Sequence, residues 1–271
     1  MKKINRNLNL ELIKDEIISW IKSYCEQNNI KSLIVGVSGG IDSALVSTLC
    51  AHTGIDTYTV LLPIYQNKEH TKRGENHIKW LKSNFKNVNE IKLDLSNIFD
   101  SFKKTIDVEY HNELSLANTK SRIRMTTLYH IAQSKNGIVV GTGNKVEDFG
   151  VGFFTKYGDG GVDISPIADL YKSEVYSMSE LFGIIDEIIT SQPTDGLWDD
   201  DRNDESQIGV SYDNLEYIME YIKENPNYEE KMFDLPEEIV VSFKRYIELN
   251  SKNKHKMVSI PIFDLNEHKI I

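Results

Sequence analysis

Cysteine is scarce in this chain. Cys25 and Cys50 are the two present, and no CxxC spacing occurs. That excludes a disulfide framework and a cysteine-ligated zinc site. Both fall on expected helices and are read as buried structural thiols. Long apolar runs are also missing: none approaches the ~18 residues needed to span a bilayer. No apolar stretch of a signal peptide stands behind Met1-Lys2-Lys3-Ile4-Asn5-Arg6. A cytoplasmic protein without a membrane partner is expected. Basic residues are the minority, 31 against 41 acidic, for a formal net charge of -10. A nucleic-acid coating role is thereby disfavoured, although a local basic pocket is not. Proline numbers 6, and no Pro- or Ser-rich linker or internal repeat divides the 271 residues. One domain over 1–271 is the expectation.

What is present reads as alternating strands and helices. Ile13, Ile17, Trp20, Ile21 and Tyr24 recur at helical spacing and predict a helix over about 9–28. Strands are expected near 32–37, over Thr57–Leu62 before Pro63, over Asn89–Leu93 and over Gly137–Thr142. Helices are expected near 42–52, 68–84, 96–105 with Ser96 as cap, 112–135, 172–182, 211–224 and 236–250. This order predicts an α/β fold: a Rossmann-like, mostly parallel sheet with helices on both faces and a helical C-terminal part. Ligands of such sheets bind at the carboxyl ends of strands. Six of the eleven residues from Asp195 to Glu205 are acidic, which reads as a mobile surface loop.

The segment Gly36-Val37-Ser38-Gly39-Gly40-Ile41-Asp42-Ser43 joins the first strand to the second helix. Paired glycines let backbone N–H groups approach an anion, and the helix N-terminus points at the same spot. Ser38 and Ser43 add hydroxyl donors to a phosphate cradle. There is no Walker A lysine. Asp42 is instead placed where a carboxylate beside phosphates would hold Mg²⁺; otherwise it is an ordinary helix cap.

Three further stretches carry chemistry. In Gly141–Asp148, Thr142 ends a strand and Glu147 follows at the same sheet edge. Asp42 and Glu147 together suit Mg²⁺, or else Glu147 is a solvated helix-start carboxylate. In Gly152–Asp163, Phe153 or Phe154 is placed to stack on a heteroaromatic ring and Lys156 to neutralise charge. Asp159 and Asp163 there are candidates for holding ammonia or taking its proton; the alternative is aromatic residues plugging the core beside a turn. On the long helix, Lys120 and Arg124 share a face while Arg122 points elsewhere.

The phrases SGGIDS, NTKSRIRM, GTGNKVED, GFFTKYGDGGVD, SPIADLYKSEV, QPTDGLW and DESQIGVSYD, with His255-Lys256, occur in the order seen in NAD synthetases. The chain resembles the ammonia-dependent members of that family, within the N-type ATP pyrophosphatases; a glutaminase domain is not expected. The resemblance implies a fold like that of the adenine nucleotide alpha hydrolases. It implies ATP-dependent amidation of deamido-NAD with ammonia, through an acyl-adenylate, to NAD, AMP and PPi. It implies ATP contacts at Gly36–Ser43, Thr142, Lys172 and Thr194, with Mg²⁺ on Asp42 and Glu147. It places deamido-NAD at Arg122, Lys156, Asp163, His255 and Lys256, in a site shared across a homodimer. Lys172 would absorb charge during catalysis, and the acidic segment 195–206 is expected to close over the adenylate. The competing readings are another amidating or thiolating ATP pyrophosphatase and a non-catalytic nucleotide sensor.

Overall fold

A computed structural model describes residues 6–193 and 203–263. Thr194 and most of the acidic segment, 195–202, lie outside the described residues. The chain opens with α1, Leu10–Gln27, capped by the Asn9 side chain accepting from Leu12 N at 3.1 Å. There follow β1 (Ser32–Gly36), α2 (Ile41–His52), β2 (Asp56–Leu61), α3 (Lys68–Asn84), β3 (Val88–Lys92), α4 (Ser96–Thr105), α5 (Glu113–Ser134) and β4 (Gly137–Val139). A π-helix, Lys145–Val151, follows β4. The further α-helices among the described residues are α6 (Lys172–Leu181), α7 (Asp186–Ile189), α8 (Asp204–Ile208), α9 (Tyr212–Glu224), α10 (Tyr228–Lys231) and α11 (Glu237–Met257).

The four strands are parallel, in the order β3-β2-β1-β4. The order reverses beside β1, so the crevice between β1 and β4 is the switch point where α/β sheets take ligands. After Ser32, β1 is apolar because both its faces are covered. Leu33 and Val35 pack with Ile21, Leu45, Leu49 and Met178 on one face. Ile34 packs with Phe99, Ile131 and Val139 on the other. A separate apolar cluster joins the π-helix to α9 and α11 through Val146, Val151, Leu215, Ile218 and Phe243. This second cluster mounts the C-terminal helices against the sheet's ligand edge.

Three local expectations change. Ser96 does not cap α4; it is the first helical residue, and its N–H donates to Asp94 Oδ1 at 2.9 Å in an Asx turn. The fourth strand ends at Val139; Val140 N still donates to Ile34 O at 2.9 Å, while the outer edge of 139–141 pairs with residues 163–164. Asp163 N donates to Val139 O at 2.9 Å and Gly141 N to Ile164 O at 2.7 Å. The last helix continues past 250 to Met257, where Lys254, His255 and Lys256 complement its C-terminal dipole. The stretch after Thr142, for which the sequence assigns no element, forms the π-helix. Cys25 and Cys50 are free and buried as expected. No helix among the described residues is long and apolar enough to cross a membrane.

Candidate active site

The cradle forms where β1 meets α2. Gly39 has φ +89°, and a Cβ there would lie 2.4 Å from His70 O, so only glycine fits against α3. Gly40 occupies the cap position of α2 without a side-chain cap, leaving the first helical N–H groups directed into the crevice. The two serine hydroxyls serve the loop itself. Ser43 Oγ donates to Gly40 O at 2.9 Å, and Ser38 Oγ accepts from Gly40 N at 3.1 Å. They hold the cradle's shape, and the open N–H groups carry its anion-binding character.

Asp42 is not a helix cap. Lys172 Nζ, at the first position of α6, donates to Asp42 Oδ2 at 2.6 Å and to Glu147 Oε1 at 2.9 Å. Asn144 ties the Asp42 carboxylate to the backbone at the start of the π-helix from the other side. Its Nδ2 donates to Asp42 Oδ1 at 3.0 Å, while its Oδ1 accepts from Val146 N and Glu147 N at 3.0 and 3.1 Å. Tyr212 Oη also donates to Glu147 Oε1. Lys172 is 3 % exposed and Asn144 fully buried, so water screens little of this cluster. Burial would lower the Lys172 pKa, but Asp42 and Glu147 raise it above its ordinary value. Burial pushes the Asp42 carboxyl up against the pull of Lys172. Burial also pushes on Glu147, yet Lys172 and the Tyr212 hydroxyl together hold it below its ordinary value.

The crevice beyond the cradle is lined by Val60, Leu62, Met125, Thr142, Phe153 and Asp159, among others. Asp159 is exposed by area, yet protein crowds its carboxyl group and raises its pKa. Its Oδ1 accepts from Ser121 Oγ at 2.7 Å and Thr155 N at 3.0 Å. Asp148 lines the same crevice, and a Cβ on Gly143 would lie 1.8 Å from its Oδ2. Burial, with Asp159 and Glu147 nearby, raises the Asp148 pKa well above the carboxylate range.

The expected dinucleotide residues divide. Arg122 donates to Lys156 O at 3.3 Å, and Lys156 Nζ donates to His255 O at 3.4 Å. Lys256 Nζ donates to Gly152 O at 2.6 Å and Phe154 O at 2.8 Å, with the Phe154 ring 4.9 Å away. These four therefore meet in one chain of contacts joining α5, the 152–157 loop and α11. Asp163 is elsewhere: its carboxylate accepts from Val139 N at 2.7 Å and Tyr129 Oη at 3.1 Å. It closes the edge of β4 and is not among the crevice-lining residues. Of the long-helix cations, Arg124 Nε donates to Leu62 O at 2.9 Å and Lys120 lies 5.7 Å from the Phe99 ring.

The family model described as NAD synthase matches residues 13–259. The chain belongs to the NAD synthase family. An NH(3)-dependent NAD(+) synthetase of Methanosarcina acetivorans is 34% identical over 261 residues, covering 95% of this chain and 100% of the relative. The solved NH3-dependent NAD synthetase of Campylobacter jejuni has a TM-score of 0.75 at 26% identity, over 95% of this chain and 100% of that one. The solved NMN synthetase of Francisella tularensis has a TM-score of 0.82 at 24% identity, over 95% and 99% respectively, a likeness of fold. NAD synthases of this kind are ATP-dependent ligases, and the α/β architecture agrees.

Sequence reasoning placed Asp42, Glu147 and Lys172 in the site but gave no role to Asn144, Asp148 or Tyr212. Asn144 and Tyr212 stand within the family phrases GTGNKVED and DESQIGVSYD, which was the available signal. The carboxylate pair also passes a test of fit for Mg²⁺. One ammonium already bridges both groups, so their oxygens converge on one cation position. Mg²⁺ typically takes one or two carboxylates and completes its shell with phosphates and water. No cluster of three or more His, Cys, Asp or Glu suited to a metal occurs among the described residues. A metal held at Asp42 and Glu147 would take the rest of its shell from the nucleotide and water.

Proposed function

We propose that this chain, as a single domain over 1–271, is an ammonia-dependent NAD synthetase in the cytoplasm that amidates deamido-NAD at the expense of ATP. The observation that carries this reading is the Asp42–Lys172–Glu147 cluster at the mouth of the glycine cradle. The nicotinate carboxylate attacks the α-phosphorus of ATP, and PPi leaves. Ammonia then attacks the acyl carbon, and AMP leaves with the C–O bonding pair. A free carboxylate is a poor acyl electrophile, and adenylation supplies the leaving group.

The open N–H groups of α2 hold the phosphates in line for displacement. Thr142 and Thr194 contact ATP, as the resemblance implies. Lys172 turns from its carboxylates towards the negative charge that builds on the departing pyrophosphate. Asp42 and Glu147 hold Mg²⁺, which when bound neutralises triphosphate charge. Arg122, Lys156, His255 and Lys256 bind the dinucleotide. Asp159, on the crevice wall, holds ammonium and takes its proton; Asp163 acts with it by keeping the 158–163 turn on β4.

A homodimer completes the proposal. Ile98 and Phe102 on α4, Val108 and Tyr110 in the 3-10 turn that follows it, and Leu114 at the start of α5 are exposed, with Val108 82 % exposed. Apolar groups so concentrated mark an interaction surface, and light scattering at a dimer's mass is expected. The deciding assay supplies Mg-ATP, ammonium chloride and deamido-NAD, with nicotinate mononucleotide in a parallel arm. Equimolar NAD, AMP and PPi are expected from deamido-NAD. Turnover confined to the mononucleotide would overturn the choice of substrate, and no AMP from either would favour a nucleotide sensor.

A further inference from the structure

Tyr212, Glu216 and Glu220 follow at i, i+4 and i+8 on α9 and share one face. All three are buried, and each reaches the segment that carries the cluster. Glu220 Oε1 accepts from Tyr171 Oη at 2.7 Å. Glu216 accepts from Ser173 N at 2.9 Å and Ser173 Oγ at 2.6 Å. These bonds bracket Lys172 on both sides. Tyr212 reaches the cluster directly: its hydroxyl donates to Glu147 Oε1, and Lys172 Nζ stands 5.1 Å from its ring centroid. Leu215 and Ile218 on the same helix are fully buried, and Tyr212 N donates to Glu205 Oε1 at 2.8 Å. The ring therefore sits on a fixed mount.

We propose that Tyr212 is a positioning residue for adenylation, fixing the Glu147 carboxylate while Lys172 is free to leave it. Phenylalanine would fill the same space, so packing alone gives no reason for a buried hydroxyl. Glu147 Oε1 already accepts from Lys172. With that bond alone, the carboxylate would follow the lysine when it turns to a phosphate. The second donor, on a separate helix, keeps Glu147 in place for a divalent cation, and the ring face gives Lys172 a resting position.

The inference rests on the proposed NAD synthetase reading, and its test has one arm independent of that reading. Mn²⁺ binding to the full-length protein is titrated by electron paramagnetic resonance with ATP but without deamido-NAD. Tyr212→Phe, with its fold checked by circular dichroism, should bind Mn²⁺ about tenfold more weakly, the usual effect of losing such a partner. PPi release should lose kcat by a similar factor, about tenfold, with KM for deamido-NAD unchanged. Tyr212→Leu, which also loses the ring face, should lose more; if it fails to fold, the phenylalanine variant decides. Wild-type Mn²⁺ affinity in Tyr212→Phe, a loss confined to KM, or no Mn²⁺ binding by the wild type would overturn the assignment. Failure of the wild type to release PPi with deamido-NAD would sink the proposed function instead, and the Mn²⁺ titration would still judge Tyr212.

Discussion

Replacing Lys172 by methionine removes a charge and keeps most of the volume. Nζ lies 2.6 Å from Asp42 Oδ2 and 2.9 Å from Glu147 Oε1. At an effective dielectric of about 20, each contact is worth about 6 kcal/mol of attraction. Withdrawing the charges from water takes back several kcal/mol per ion. The measurable loss is that of orphaning buried partners, about 3–5 kcal/mol, or about 10 °C in melting temperature for a chain of this size. The loss must also depend on pH. Without the ammonium, Asp42 and Glu147 face each other, and the folded variant retains a proton that the unfolded chain releases. Its stability relative to the wild type therefore falls as pH rises from about 5 to about 8. Urea unfolding in chelator at the two ends of that range reads the effect. A deficit below about 1 kcal/mol would match an exposed pair. That result, or a deficit equal at both pH values, would refute the account of a buried, mutually dependent cluster.

Four other perturbations have defined outcomes. His77 is fully buried with Nε2 3.0 Å from Ser47 Oγ, and burial lowers its pKa from 6.5 to about 4. The unfolded chain takes up the proton first as pH falls, so this group withdraws about 3 kcal/mol of stability across that window; His77→Gln should flatten the corresponding part of a plot of urea midpoint against pH. Gly39→Ala forces φ +89° on a side chain 2.4 Å from His70 O; a loss of about 2 kcal/mol or more is expected, with weaker ATP binding by calorimetry, and unchanged stability would count against the cradle geometry. Asp159→Asn should slow amide formation more than PPi release. Asp163→Asn should chiefly lower stability, by about 1–2 kcal/mol, and equal losses in the two steps for Asp159→Asn would remove its assigned role.

Much of the architecture was legible because its signals are local. The spacing of Ile13, Ile17, Trp20, Ile21 and Tyr24 set α1 to within a residue or two, since one packed face imposes one period, although Trp20 itself lies off that face and is exposed. The Gly-Gly loop between an apolar run and a helix located the cradle for the same reason. What escaped depends on partners distant in sequence. The Asn144–Asp42 bond joins residues 102 positions apart, and Tyr212–Glu147 spans 65. No spacing rule encodes either. Ser38 and Ser43 looked like ligand donors because a hydroxyl's partner is set by the closed loop, which composition does not reveal. Asp163 stood in a glycine-rich, functional-looking stretch, yet its oxygens serve the edge of β4. The pairing of 139–141 with residues 163–164 has the same origin, because edge pairing is decided in three dimensions. The π-helix likewise rests on a tertiary anchor, Asn144, tied across to α2.

The strand order also sets a sequence of events during folding. Ser32 pairs with Asp56 on one side and with Gly137 on the other. The second closure spans roughly four times as much chain and costs about 1 kcal/mol more in loop entropy. The β1–α2–β2–α3–β3 half can therefore collapse on itself first, with the glycine cradle already shaped by β1, α2 and α3. β4 and the π-helix arrive only after α4 and α5 have crossed the sheet, bringing Asn144 and Glu147 to Asp42; α6 follows with Lys172. Pulsed hydrogen exchange should accordingly protect the amides of β1 and β2 before those of residues 145–151. During synthesis, an emerging chain would display an anion-binding loop well before it acquired the carboxylate partner and the lysine, so premature phosphate capture would precede any capacity to use it.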